Sequence, residues 1–339
     1  MLRNLRSILC VCNSFVNYPQ ARKKLLDRVC PEYKIQFLDL KQPGSGGSTL
    51  VRSAFASSEI LVADGTEVAE FAGQLIGSNV QWIHSSTSGV NKLMENEHFK
   101  EFVRMRGDDM PLVTRTSLAR PMAAYCLAHM FSYYHRLPQY SQLQREKEWK
   151  QISVRPIEEV TVGFLGVGDI GGEVAAACKR LGMRCIGYSA STTAKQNFAQ
   201  IYTGDVESVL RQSDFLVNSL PHTPHTVDLL SSGTLEVAAA NSPVFINVGR
   251  GSVIDEDSIL EALDKGWIRQ AILDVFETEP LPQTSKLWDH PSVTITPHSS
   301  NGSIDEMYYV PALENFVQNL QLIKEGKSPA LIVDYSKGY

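Results

Sequence analysis

The chain has 339 residues, of which 43% are hydrophobic and 20% are charged, ordinary proportions for a globular protein of one large or two medium domains. The formal net charge is −5 at pH 7 and no long basic run is present, which argues against a nucleic acid or an anionic membrane surface as partner. No apolar stretch approaches the roughly 18 residues that a membrane-spanning helix needs.

The first part of the chain alternates between strand-like and helix-like segments. The apolar run at residues 8–12 is too short for the core of a signal peptide and is interpreted as part of a buried strand. The predicted elements are a strand at 7–12, a helix at 21–29, a strand at 35–40, a Gly/Ser-rich loop at 43–48, and strands at 60–63 and 81–84. This alternation favours a parallel sheet in an α/β protein.

The second part of the chain begins with a helix and then repeats the α/β pattern. The helix is predicted at 122–137, with Pro121 near its first turn, and a polar helical segment at 139–151 leads to a connector. The strands that follow are predicted at 160–165, 185–188, 215–219, 244–248, 271–275 and 293–296, before a long helix at 304–325.

Six cysteines are present and none forms a CxxC pair. They are Cys10, Cys12, Cys30, Cys126, Cys178 and Cys185. Five lie in apolar segments and Cys30 precedes a proline. The sequence therefore predicts buried, reduced thiols in a cytoplasmic protein.

A dinucleotide-binding fingerprint, GxGxxG, lies between a strand-like run and a helical stretch. Gly166 allows a tight turn, Gly168 lets the backbone approach a pyrophosphate, and Gly171 lets the helix pack closely on the strand. The pyrophosphate would then lie at the helix N-terminus, where free N–H groups point towards it. The predicted contacts also include the intervening residues Val167, Asp169 and Ile170.

The segment after the second strand of this series bears on the choice between NADP and NAD. NAD-binding proteins usually carry an acidic residue about 20 residues after the fingerprint, to bind the ribose hydroxyls. Here the strand leads instead into Ser189, Ala190 and Ser191, followed by two threonines, with Lys195 nearby. Hydroxyls and a lysine would accept a 2′-phosphate that a carboxylate would repel, so the sequence favours NADP over NAD. A solvated surface role for Lys195 is the alternative.

Three later segments place polar residues directly after apolar strands. They are Asn-Val-Gly-Arg-Gly at 247–251, Asp-Val-Phe-Glu-Thr-Glu-Pro at 274–280, and Thr-Pro-His at 296–298. In an open α/β sheet, ligands bind at the carboxyl ends of the strands. We therefore expect these segments to contribute to one site.

Together with the fingerprint, these segments resemble the D-isomer-specific 2-hydroxyacid dehydrogenase family. Residues from about 160 to 298, including Leu-Pro-His-Thr-Pro at 220–224 and Trp-Asp-His-Pro at 288–291, most resemble its glyoxylate/hydroxypyruvate reductase branch. The resemblance covers the whole chain, strongly after residue 110 and weakly before residue 80. It implies an NAD(P)-dependent oxidoreductase that reduces small 2-keto acids to D-2-hydroxy acids.

The resemblance also implies catalytic roles that side-chain chemistry supports. Arg250 would bind the substrate carboxylate and the adjacent keto oxygen through its planar guanidinium. His298 would donate the proton, since a histidine titrates near neutrality. Glu279 would hydrogen-bond His298, fix its tautomer and favour its charged form. Asp274 would hold the nicotinamide carboxamide.

Further cofactor contacts are implied on the loops after the strands. Besides Arg250, Asp274 and His298, they are Leu220, Pro221, His222, Thr226, Val248 and Gly249. His222 and His225 have an HxxH spacing, but they lie on a loop rather than a helix. No metal site is therefore expected.

The segment at 82–90 resembles the family's substrate loop. By position, the backbone N–H groups of Ser88 and Gly89 would bind the substrate carboxylate. The family more often has alanine at Ser88, an aromatic residue at Thr87 and aspartate at Asn91. These departures leave the backbone contacts possible, and a threonine at 87 would enlarge the pocket.

Two further residues could each have either a role in the site or a purely structural or surface role. Arg120 is either a second contact for the carboxylate or a surface arginine. Trp149 either caps the site of a neighbouring subunit, as in some relatives, or is a packing tryptophan.

The resemblance implies two doubly wound parallel-sheet lobes with a cleft between them. A Rossmann NAD(P)-binding lobe at 117–291 would be inserted into a flavodoxin-like substrate-binding lobe at 1–116 and 292–339. The apolar helix at 122–137 resembles the family's dimer element and predicts a homodimer. The alternative function is a nucleotide-regulated binding protein of the corepressor type, which shares this fold.

Overall fold

A computed structural model describes residues 2–29, 31–40, 49–190, 194–302 and 309–338. Cys30, the predicted loop at 43–48, Ser191 with its two threonines, and the first turns of the predicted helix at 304–325 lie outside the described residues. The chain divides into two compact units. The outer unit comprises Met1–Leu118 and Ser303–Tyr339, and the inserted unit comprises Ala119–Gly302.

The outer unit is built on a parallel sheet with strand order β2-β1-β3-β4-β5. Its described strands are β1 (Ser7–Cys10), β2 (Lys34–Phe37), β3 (Ile60–Ala63), β4 (Trp82–Ser85) and β5 (Leu112–Thr114). Ile8 pairs with Ile35 on one side and with Ile60 on the other. All of β3 and β4 is buried, as expected for strands covered on both faces. This order is the flavodoxin-like one.

The inserted unit contains a seven-stranded parallel sheet with order β12-β11-β10-β9-β6-β7-β8. Its described strands are β6 (Thr161–Leu165), β7 (Arg184–Ser189), β8 (Gln200–Thr203), β9 (Phe215–Asn218), β10 (Val244–Asn247), β11 (Gln270–Leu273) and β12 (Val293–Ile295). The chain starts at β6, moves out to β8, and returns to the other side of β6 with β9. This reversal is the topological switch point of a Rossmann fold, where nucleotides bind. The predicted fold class is confirmed.

The described α-helices connect these strands. They are α1 (Asn13–Asn17), α2 (Pro19–Arg28), α3 (Thr49–Ser57), α4 (Gly65–Glu70), α5 (Asn91–Glu95), α6 (Glu97–Arg106), α7 (Ala119–Tyr134), α8 (Leu137–Glu146), α9 (Asp169–Arg180), α10 (Glu207–Leu210), α11 (Glu256–Asp264) and α12 (Tyr309–Lys324). In the part of the chain that the structure describes, no helix is both long and apolar enough to cross a membrane.

The helix predicted at 122–137 is α7, displaced by three residues towards the N-terminus. It ends before Arg136, whose φ of +58° breaks the helix. Its buried residues recur at helical spacing along one stripe that includes Met122, Cys126 and Met130, and α7 packs against α9. The core of the inserted unit thus supports the helix that follows the fingerprint.

Candidate active site

The fingerprint turn follows β6 at the switch point of the inserted unit. Gly166 has φ of +94°, a conformation that favours glycine. A Cβ on Gly171 would lie 2.1 Å from the Gly166 carbonyl oxygen, so this position also requires glycine. A Cβ on Gly168 would meet nothing within 4 Å. Open space therefore lies beside the turn where α9 begins, which fits the approach of a pyrophosphate to the helix N-terminus.

Two polar groups lie beside this turn. The Lys195 ammonium donates a hydrogen bond to the Val167 carbonyl, which places a cation against the fingerprint. Asp169 Oδ2 is buried and has no hydrogen-bond partner among the described residues. Ser189 ends β7 and is partly buried, while Ala190 is exposed.

His298 and Glu279 form a hydrogen-bonded pair. Nδ1 of His298 lies 2.8 Å from Glu279 Oε2, and Glu279 Oε1 accepts a hydrogen bond of 3.0 Å from the Phe276 N–H. Because a carboxylate accepts hydrogen bonds, the proton between the pair belongs on Nδ1. The second ring nitrogen, Nε2, is left to exchange a proton elsewhere, and about half of the His298 side chain is exposed (49%).

The pair shifts the pKa of both groups towards their charged forms. The hydrogen bond to Glu279 raises the pKa of His298, aided by the charges of Glu279 and Asp274 and opposed by burial and Arg250. Burial alone would raise the pKa of Glu279. The hydrogen bonds from His298 and Phe276, with the charges of His298 and Arg250, outweigh it and lower that pKa. The site therefore favours an imidazolium beside a carboxylate.

Arg250 lies after β10 and adds a positive charge to the same site. Its Nη1 donates a hydrogen bond of 2.8 Å to the Gly249 carbonyl. Burial lowers the pKa of Arg250, and the charge of Glu279 opposes that effect. A partly desolvated guanidinium is suited to binding an anionic substrate.

Asp274 is fully buried and holds the segment that carries His298. Its Oδ1 accepts hydrogen bonds from the Thr296 hydroxyl (2.6 Å) and the Ser299 N–H (2.8 Å), and its Oδ2 accepts one from the Ser300 N–H (3.0 Å). Its backbone carbonyl accepts a hydrogen bond of 2.9 Å from the His298 N–H. Asp274 therefore orders residues 296–300, a contact that the sequence did not predict.

Two buried asparagines connect the loops after β9 and β10. Asn218 Nδ2 donates to Asn247 Oδ1 at 2.8 Å, and the same oxygen accepts the Gly249 N–H at 3.2 Å. Asn247 Nδ2 donates to the Arg250 carbonyl at 3.1 Å. Asn218 was missed in the sequence, where the only signal is an amide residue at the end of a strand.

The remaining cofactor candidates lie on the same loops. Leu220 and Val248 are buried, and Pro221 is partly buried. The His222 ring bonds the Ser252 hydroxyl at 2.7 Å through Nδ1. The Thr226 hydroxyl donates to the Pro221 carbonyl at 2.6 Å, so it holds the loop in shape.

The substrate-loop candidates belong to the outer unit, after β4. The Thr87 hydroxyl donates to the Gly89 carbonyl at 3.2 Å and lies 3.1 Å from the Ser85 hydroxyl. Within the described residues, the N–H groups of Ser88 and Gly89 donate no hydrogen bond. The loop is thus internally braced and offers two donors at the carboxyl end of its strand.

Arg120 and Trp149 are both exposed. Arg120 lies in the first turn of α7, and Trp149 follows α8 with its whole surface accessible (101%). Among the described residues, no group of three or more His, Cys, Asp or Glu is arranged to hold a metal ion.

The comparisons with known proteins agree with this geometry. Residues 127–300, just over half of the chain, match the family model of the D-isomer specific 2-hydroxyacid dehydrogenase, NAD binding domain. The chain belongs to this dehydrogenase family. The family resemblance stated from the motifs is confirmed, and the chain is an NAD(P)-dependent oxidoreductase.

Individual relatives cover most of the chain. A glyoxylate/hydroxypyruvate reductase A from Serratia proteamaculans (strain 568) is 32% identical over 254 residues, which is 74% of this chain and 79% of the relative. A D-isomer specific 2-hydroxyacid dehydrogenase from Xanthobacter autotrophicus Py2, solved in complex with NADPH and MES, is 26% identical. Its TM-score is 0.79, over 99% of this chain and 100% of that chain.

Proposed function

We propose that this dehydrogenase reduces small 2-keto acids, with glyoxylate and hydroxypyruvate as preferred substrates. The products would be glycolate from glyoxylate and D-2-hydroxy acids from substrates whose products are chiral. The observation that carries the proposal is the His298–Glu279 hydrogen bond, with Arg250 electrostatically coupled to both. A guanidinium after β10 and an imidazolium after β12, at the carboxyl ends of two strands of one sheet, suit an anionic substrate whose carbonyl oxygen gains negative charge. The arrangement favours an enzyme over a nucleotide-regulated corepressor-type protein.

Each of the three ionic side chains has a separate role in the proposed reaction. Bound NADPH or NADH would supply a hydride to the carbonyl carbon. Arg250 binds the substrate carboxylate and keto oxygen, and His298 delivers a proton from Nε2 to that oxygen. Glu279 keeps the proton on Nδ1 and stabilises the imidazolium before the transfer. The product is the 2-hydroxy acid, and His298 is left neutral until it takes up a proton from water.

Backbone groups complete the proposed substrate contacts. The N–H groups of Ser88 and Gly89, which donate no hydrogen bond within the described residues, would donate to the substrate carboxylate, as the family resemblance implies. Arg120 and Trp149 have no role in this proposal.

NADP is the proposed cofactor. The turn at Gly166, Gly168 and Gly171 would hold the pyrophosphate at the start of α9, and Asp169 Oδ2 offers an acceptor for a nucleotide hydroxyl. Val167 and Ile170 would line this turn. At the ribose, Ser189 stands where NAD-binding relatives usually carry an acid. The Lys195 cation beside Val167 supports a site for a 2′-phosphate.

The other cofactor contacts follow the family resemblance. Asp274 and His298 would face the nicotinamide, and Ala190 with Ser191 would flank the ribose. The loop residues proposed to line the cofactor are Leu220, Pro221, His222, Thr226, Val248, Gly249 and Arg250.

The roles of the two lobes, the oligomeric state and the cellular compartment are also part of this proposal. The outer unit would be the substrate-binding lobe, which the sequence placed at 1–116 and 292–339, and the inserted unit would be the NAD(P)-binding lobe, which it placed at 117–291. The strand β12 belongs to the sheet of the inserted unit. We propose a cytoplasmic homodimer. The five described cysteines are buried and form no disulfide with one another, which suits a reducing compartment. The helix α7 has partly exposed apolar residues such as Leu127 and Phe131, which suits a dimer contact.

Replacement of His298 tests the proposed chemistry. His298→Asn should lower kcat for glyoxylate reduction by roughly 100-fold or more, the usual scale for loss of a general acid. NADPH binding, measured by quenching of tryptophan fluorescence, should stay within about threefold of wild type, since His298 does not hold the pyrophosphate. Turnover within about threefold of wild type would show that His298 is not the proton donor.

A further inference from the structure

A chain of hydroxyl groups leads from helix α7 to the segment that carries His298. The Tyr125 hydroxyl lies 2.8 Å from the Thr296 hydroxyl, which lies 2.6 Å from Asp274 Oδ1. Tyr125 and Thr296 are 171 residues apart in the sequence. All three residues belong to the inserted unit.

The number of available protons decides which hydroxyl donates in each of these hydrogen bonds. An ionised carboxylate can only accept hydrogen bonds, so the single proton of the Thr296 hydroxyl is committed to Asp274. The Thr296 oxygen is then an acceptor, and Tyr125 must be the donor. Burial raises the pKa of Tyr125 to about 12, which keeps its hydroxyl protonated and able to donate.

The position of His298 depends on Asp274, the last residue of this hydrogen-bonded series. Asp274 binds the N–H groups of Ser299 and Ser300 through its carboxylate and that of His298 through its carbonyl. His298 itself has φ of +51°, an uncommon conformation for a residue with a side chain. Hydrogen bonds on both sides of His298 therefore hold the backbone in a conformation that it would not adopt readily by itself.

We propose that Tyr125 is a positioning residue for the proton donor: its hydroxyl, through Thr296, fixes the Asp274 carboxylate and with it residues 296–300. The inference rests on the proposed role of His298. A small displacement of a general acid from its substrate lowers the rate of the proton-transfer step. The fingerprint turn, where the pyrophosphate is proposed to bind, lies outside residues 296–300, so the affinity for the cofactor should change little. Tyr125 touches neither the substrate nor the reacting atoms in this account.

Variants of the hydrogen-bonded residues Tyr125 and Thr296 test the proposal. Tyr125→Phe removes only the hydroxyl and should lower kcat about tenfold (~1.4 kcal/mol), with the Kd for NADPH within about twofold of wild type. Thr296→Val should lower kcat at least as much, and Thr296→Ser, which keeps the hydroxyl, should restore most of it. Because Tyr125 acts through Thr296, adding Tyr125→Phe to Thr296→Val should cost no more than about a further twofold.

A matched control lies on the same helix. Tyr134 also has a hydrogen-bonded hydroxyl, which donates to the Arg155 carbonyl at 2.6 Å. Within the described residues it forms no hydrogen bond with Thr296. Tyr134→Phe should leave kcat within about twofold of wild type. A general effect of removing a tyrosine hydroxyl from α7 would appear in both variants.

Hydrogen–deuterium exchange gives a readout that does not require turnover. A peptide covering residues 293–302 should exchange faster in Tyr125→Phe and Thr296→Val than in wild type, Thr296→Ser or Tyr134→Phe. Wild-type exchange and wild-type kcat in Tyr125→Phe would overturn the inference, as would losses that simply add in the double variant. If the wild-type protein reduces no keto acid, the proposed function fails, and the exchange rates still decide whether Tyr125 orders this segment.

Discussion

At the scale of single residues, the Glu279 carboxylate favours the charged form of His298. The proposed reaction should therefore depend on pH in a defined way. In the proposed mechanism reduction needs the imidazolium, so its rate should fall as the pH rises through the pKa of His298. Glu279 raises that pKa. The hydrogen bond therefore extends reduction to higher pH.

Glu279→Gln should move the alkaline limb of the reduction profile to lower pH. A neutral amide still accepts a hydrogen bond but no longer favours the imidazolium, so kcat/KM at pH 7.5 should fall about tenfold or more. The measurement is kcat/KM for glyoxylate across the pH range, with Glu277→Gln as control because Glu277 is an exposed carboxylate two residues away. An unmoved alkaline limb would mean that another group determines it.

The sequence pointed to the ionic residues of the proposed site but not to the groups that form hydrogen bonds with their loops. Arg250, Glu279 and His298 each stand in a short motif after a strand, so local pattern was sufficient to propose them. The partners Tyr125 and Asn218 are a tyrosine in an apolar helix and an asparagine at a strand end. Their contacts span 171 and 29 residues, and such pairings appear only when the chain is folded.

At the scale of elements, most strands were predicted to within one or two residues. The predicted strands at 215–219, 244–248 and 293–296 each end one residue beyond the observed strand. At these points the backbone leaves the sheet to form the site loops, although the side chains remain apolar or small. The strand β5 was missed because three residues give too little pattern to detect. The edge strand β8 was missed because its polar, exposed ends leave no apolar run in the sequence.

The packing of α9 on β6 offers a test of the fingerprint turn. Gly171→Ala would place a Cβ 2.1 Å from the Gly166 carbonyl oxygen, so the turn and the helix must separate. The Kd for NADPH should rise about tenfold or more, and the unfolding temperature should fall. Fluorescence titration measures the Kd, and thermal denaturation measures the unfolding temperature.

The neighbouring glycine is the matched control for that variant. A Cβ on Gly172 would meet nothing within 4 Å, and alanine favours a helix by about 1 kcal/mol over glycine. Gly172→Ala should leave the Kd unchanged and leave the unfolding temperature equal or higher. Equal effects of the two substitutions would show that the close approach at Gly171 is not what matters.

At the scale of the whole molecule, the chain combines two strand orders. The outer unit has the flavodoxin-like order and the inserted unit has the Rossmann order. Alternating strands and helices were sufficient to predict the α/β class. The order of the strands in each sheet followed only from the family resemblance, because periodicity carries no information on which strands are neighbours.

The activity proposed for this protein is the reduction of small 2-keto acids to the D-isomer. The most direct test is to supply hydroxypyruvate to the wild-type protein with NADPH and, separately, with NADH, and to resolve the glycerate formed by chiral chromatography. We expect one molecule of cofactor to be oxidised for each D-glycerate formed, and a higher kcat/KM with NADPH than with NADH. Formation of L-glycerate, or no oxidation of either cofactor with hydroxypyruvate or glyoxylate, would contradict it.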